Sequence, residues 1–91
     1  MAANVENTFV ATSDTSVATG LRVLKWLLVS AGATGGAWQI NDSTDDSGTD
    51  KLSGVAAANS QTFLPMLNLE LKTGLYVDIP GTNVTLSGGF S

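Results

Sequence analysis

Leu21-Arg22-Val23-Leu24-Lys25-Trp26-Leu27-Leu28-Val29-Ser30 is the densest apolar stretch of the chain. Read in steps of two, Leu21, Val23, Leu27 and Val29 share one face, broken by Lys25, while Leu24, Trp26 and Leu28 share the other. A strand apolar on both faces is a central one, covered on both sides. The same run also fits a helix, because Leu21, Leu24, Leu27 and Leu28 follow helical spacing. Gly20 before it, Ala31-Gly32 after it and its shortness favour the strand. That choice decides the fold class, since no other stretch has a convincing helical period.

Downstream, Gly35-Gly36 marks a turn and residues 37–41 form a second strand with Trp38 and Ile40 on one face. The two strands together predict a hairpin across residues 31–36. Residues 41–50 are a polar loop, and residues 51–58 are weakly extended. In residues 61–71, Leu67, Leu69 and Leu71 alternate with Asn68, Glu70 and Lys72, the cleanest one-sided strand pattern in the chain. Pro65 cannot donate to a ladder and marks a bulge, an edge or the strand start. Thr73-Gly74 turns into residues 75–79, where Leu75, Val77 and Ile79 share a face. Pro80-Gly81-Thr82-Asn83 turns again into residues 84–86, before the closing Gly88-Gly89-Phe90. Residues 1–19 are polar apart from Phe9-Val10 and read as a partly extended N-terminal arm; residues 20–91 read as the domain. The expectation is an all-β fold, a small antiparallel β-sandwich, jelly-roll-like or Ig-like, of about six to eight short strands.

Composition narrows the chemistry. The 91 residues contain no His and no Cys, with four basic and eight acidic residues. That removes the usual nucleophile–base pairs and the strongest metal ligands. One domain of this length buries a thin core, and no disulfide can reinforce it. Self-association is the natural source of further burial. Arg22, Lys25, Lys51 and Lys72 are scattered, so no stripe exists to neutralise phosphates, and a nucleic-acid partner is not expected. The N-terminus lacks the basic and apolar regions of a signal peptide. The run at 21–30 is far short of the roughly 20 residues of a membrane helix, so no membrane partner is expected. The protein is expected to remain in a cytoplasm or to be assembled there into something larger.

The acidic loop Asp42-Ser43-Thr44-Asp45-Asp46-Ser47-Gly48-Thr49-Asp50 is the best candidate metal site. Ca²⁺ takes hard oxygen ligands from flexible loops, and Asp42, Asp45, Asp46 and Asp50 could supply them. The spacing is not that of an EF-hand, and Asp and Gly also favour a solvated hairpin tip. No cofactor is expected. Asp45 and Asp46 are adjacent with nothing nearby to raise one pKa, and Glu70 and Asp78 sit on polar strand faces. No credible acid–base pair results, and the chain is not expected to be an enzyme. Trp26 sits among apolar neighbours and reads as core; Trp38 is the better exposed aromatic candidate.

The run Leu27-Leu28-Val29-Ser30-Ala31-Gly32-Ala33-Thr34-Gly35-Gly36-Ala37-Trp38-Gln39-Ile40, then Thr73-Gly74-Leu75-Tyr76-Val77-Asp78-Ile79, Gly81-Thr82-Asn83-Val84-Thr85 and Gly88-Gly89-Phe90, resembles small virion proteins of tailed bacteriophages, especially marine ones. The likeness covers about residues 20–90, through short motifs of common strand and turn residues. The longer acidic loop and the polar arm depart from it. The resemblance implies a β-sandwich used in symmetric copies, as a capsid decoration (cement) protein or a tail, neck or fibre component. Its implied partners are itself, as a homotrimer, and the major capsid protein, with the virion as its location. It supplies no catalytic or binding residues. Phe9, Val10, Trp38, Phe63, Leu64 and Met66 are the expected oligomer or capsid interface. A small carbohydrate-binding module is the remaining alternative.

Overall fold

A computed structural model describes residues 7–45 and 48–91. Among the described residues there are nine strands and no helix: β1 (Asn7–Ala11), β2 (Thr15–Thr19), β3 (Arg22–Ala31), β4 (Gly36–Asp42), β5 (Thr49–Ala56), β6 (Gln61–Leu64), β7 (Leu69–Leu71), β8 (Gly74–Asp78) and β9 (Val84–Phe90). They form two antiparallel sheets packed into a sandwich. The first runs β1-β9-β3-β6, with β7 paired to the other half of β3; the second runs β2-β8-β4-β5.

One path generates both sheets. The chain doubles back after β4, and each strand of the first half pairs with its counterpart in the second. β4 takes β5, β3 takes β6 and β7, β2 takes β8, and β1 takes β9. This ribbon is rolled so that β9 also pairs with β3 and β8 with β4. The result is the eight-stranded jelly roll, with one strand split into β6 and β7. Of the two topologies left open by sequence, strand order decides for this one.

One sequence expectation is corrected. The hairpin between residues 21–30 and 37–41 does not form: β3 and β4 lie in different sheets. Residues 32–35 instead carry the chain across one end of the sandwich. There the Gly32 N–H donates to the Asn83 carbonyl at 2.8 Å, and the Asn59 N–H donates to the Gly32 carbonyl at 2.8 Å. Within the partly extended segment expected over residues 1–19, residues 7–19 run as β1 and β2, one edge strand of each sheet. The Asp14 carboxylate in the turn between them accepts the Ile79 N–H at 2.8 Å.

The core is the inner face of both sheets: Leu24, Leu27 and Val29 of β3, Trp38 and Ile40 of β4, Leu75 and Val77 of β8, and Val84, Leu86 and Phe90 of β9. Truncating one of the fully buried leucines to Ala would cost about 2–5 kcal/mol. Leu24 and Leu27 cannot share a face in an unbroken strand. They do so here because Leu24 opposes Phe90 and Trp26 opposes Gly89, leaving Lys25 as the extra residue of a β-bulge. The bulge resets the alternation, so Leu24 faces in before it, while Leu27 and Val29 face in after it.

Candidate functional site

The same bulge builds the most distinctive surface of the molecule. Trp26 and Leu28, beyond Lys25, point to the outer face of the first sheet. Leu28 is opposed by Phe63 on β6 and by Ser87 on β9, and Ser87 is opposed in turn by Val10 on β1. Directly paired residues share a face, so Val10, Leu28 and Phe63 form a row across four strands, with Trp26 beside it. The Trp26 and Phe63 rings meet edge to face, centroids 6.1 Å apart. Val10 is 72% and Phe63 57% exposed.

The row ends in a shallow groove of about 450 Å³ lined by Lys25, Trp26, Phe63, Pro65, Met66 and Asn68. The bulged Lys25 offers its carbonyl to the Leu67 N–H at 2.8 Å, which ties the 65–68 segment to β3. Leu67 packs against the core, while Met66 projects at 83% exposure. Met66 and Asn68 both have left-handed backbone, with φ of 58° and 47°. Asn tolerates that region; Met does so at a cost of about 1–2 kcal/mol. This kink divides the single strand expected over residues 61–71 into β6 and β7. A strained backbone that presents an exposed apolar side chain is a mark of a functional position.

The expected interface residues therefore separate. Val10, Phe63 and Met66 converge on this outer face. Phe9 and Leu64 face inward and are partly buried against the core, with Phe9 6.1 Å from the Phe90 ring. Trp38 is corrected: at 6% exposure it belongs to the core. Trp26, half-buried, is the tryptophan that lines the outer face. The signal for the outward turn of Trp26 was Lys25, a charge interrupting an apolar alternation where β3 carries its bulge. Lys25, Pro65 and Asn68 were not anticipated as lining residues; an apolar Met66 directly after Pro65, outside any strand period, was their only trace.

The acidic loop lies at one end of the sandwich. Asp42 is committed to structure there: its carboxylate accepts the backbone N–H of Lys72 at 3.0 Å, Thr73 at 2.7 Å and Gly74 at 3.3 Å. These donors, Lys72 foremost, hold its carboxyl below the usual pKa despite partial burial. Ser43 Oγ accepts the Asp45 N–H at 3.1 Å and lies 3.2 Å from Asp45 Oδ1. Asp50 is exposed on β5, and Asp46 lies outside the described residues. Among the described residues no three acidic side chains converge as a cation site would need.

No family description matches the sequence, and no curated protein matches it at a significant level. Among solved structures, the chain is similar to one described as "Structure of infectious bursal disease virus Gx strain". The two share 17% identity at a TM-score of 0.29, over 99% of this chain and 27% of that one. The chain thus spans about a quarter of that protein's length, and the likeness is too distant to bear on function.

Proposed function

We propose that this protein is a virion structural protein, a capsid decoration (cement) protein that binds and stabilises an assembled phage head as a symmetric oligomer. The outer face of the first sheet is the observation that carries this reading. Exposed Val10, Phe63 and Met66, with half-buried Leu28 and Trp26 between them, leave an apolar strip open on a sheet whose other face already holds the core. Such a strip suits a partner that covers it in the assembled particle. The sequence resemblance to small phage virion proteins supplies that partner, the major capsid protein. The jelly-roll topology supports the reading as an analogy, since capsid proteins use it often. A protein that binds only the assembled lattice stabilises it by mass action, without chemistry of its own.

The test is co-sedimentation with phage shells that lack the protein. Near-stoichiometric binding is expected, lost in Trp26→Ala and Met66→Asp variants that still fold. Binding to isolated tails and not to shells would move the protein to a tail, neck or fibre position. The Trp26–Phe63 pair beside Asn68 and Lys25 also fits a sugar platform, and jelly rolls include lectins. Glycan-dependent quenching of Trp26, with no binding to shells, would establish that second reading instead.

A further inference from the structure

Sheet edges carry unpaired backbone N–H and C=O groups, and natural proteins blunt them by shortness, bulges, charges or proline. Most edges of this sandwich are blunted so. β1 and β2 have five residues each, and a bulge interrupts β2 between Ser16 and Ala18. β6 has four residues and stops before Pro65, and β7 has three. β5 is different. It runs for eight residues along the edge of the second sheet. Its charges, Asp50 and Lys51, lie near its start, where the register with β4 also shifts. From Leu52 to Ala58 the sequence has neither charge nor proline. Val55 projects from this stretch at 82% exposure. Behind it the sandwich is open: a slot of about 290 Å³, lined by Val29, Trp38, Leu52, Gly54, Ala56 and Leu64, separates the edges of β5 and β6.

We propose that β5 is the contact between two copies of this chain, pairing antiparallel with β5 of a second copy about a two-fold axis at Gly54. A foreign strand added to β5 would cover this edge and expose its own outer one. Two copies related by a two-fold axis remove both open edges at once and join two four-stranded sheets into one of eight. The ends of that sheet are the two copies of β2, which are already short and bulged. Charge selects the antiparallel arrangement. With residues 52–56 paired in opposite directions, Asp50 and Lys51 of each copy face the neutral end of the other. A parallel pairing would set Asp50 beside Asp50. The small residues Gly54 and Ala56 keep the inner side of the junction free of clashes, while both copies of Val55 leave solvent on the outer side. The inference stands apart from the virion reading and gives self-association two-fold symmetry in place of the expected trimer.

Light scattering across a concentration series tests it on the intact chain. A mass approaching twice 9.3 kDa is expected. Val55→Lys, a surface change, should lower the association constant roughly tenfold or more by setting like charges along the junction. Because the chain has no Cys, single cysteines at Ser53 and Val55 provide a second readout. In this register Ser53 of one copy opposes Val55 of the other, so a mixture of the two variants should give a covalent dimer, and Val10→Cys on the far sheet should not. A monomer at every concentration, a trimer, a dimer indifferent to Val55→Lys, or no cross-link in the mixture of Ser53→Cys and Val55→Cys would each overturn the proposal.

Discussion

The Trp38 indole lies across Gly54, its direct partner in the β4–β5 ladder, so closely that a methyl group on Gly54 would come within 2.8 Å of ring carbon Cζ2. The ring fills the place of the missing side chain, an arrangement known to support glycines in sheets. Gly54→Ala should therefore overpack the core edge and cost about 1–3 kcal/mol. Urea denaturation measures it, with a change in Trp38 emission. Gly81→Ala is the control: a methyl there meets nothing within 4 Å, and stability should hold or rise slightly.

Met66 gives a prediction with two opposed readouts. Glycine relieves the left-handed backbone at φ 58° but adds freedom to the unfolded chain. Met66→Gly should leave stability unchanged or raise it by up to about 1 kcal/mol, while weakening attachment to shells. A large loss of stability would show that the Met66 side chain serves packing and not contact.

Asp42 predicts a pH dependence. Its folded pKa is lowered from an ordinary value of 3.8, so the ionised form is favoured in the folded state. Its contribution is complete above that value and is lost as pH falls through it toward the lower folded value. Asp42→Asn should cost about 1 kcal/mol at neutral pH, a figure reduced by solvent screening, and should flatten the decline in melting temperature below about pH 4.

With Asp42 occupied by three backbone N–H groups, excess calcium and a chelator should give the same melting temperature. A calcium-dependent rise, abolished by Asp45→Ala with Asp46→Ala, would instead establish a cation site in the loop.

Local alternation was readable in the sequence where strands run unbroken. Leu75, Val77 and Ile79 face inward as their spacing implies. Sequence reading failed where one residue changes the count. Lys25 resets the parity of β3 and turns Trp26 outward, because a shift by one residue moves every later side chain to the opposite face. Trp38 shares a face with Ile40 as its spacing implies, and what local spacing does not give is that this face is the covered one. The break at Met66 is invisible for a related reason: nothing in an apolar, long side chain announces left-handed backbone. The crossing from β3 to β4 was read as a hairpin because a short Gly-rich link serves equally to return within a sheet or to step to the other. The strip from Val10 to Phe63 is assembled from four strands far apart in sequence, so no local motif could mark it.

The position of β9 also bears on how the protein is made. β9 lies between β1 and β3, so the first described strand gains its only neighbour in the sheet from the last. A ribosome releases that partner at the end of the stretch, and until then β1 and β3 border an empty lane. Sheet closure therefore follows the synthesis of every other described strand, and the long-range pairing it requires favours slow folding, with exposed strand edges as the hazard during the wait.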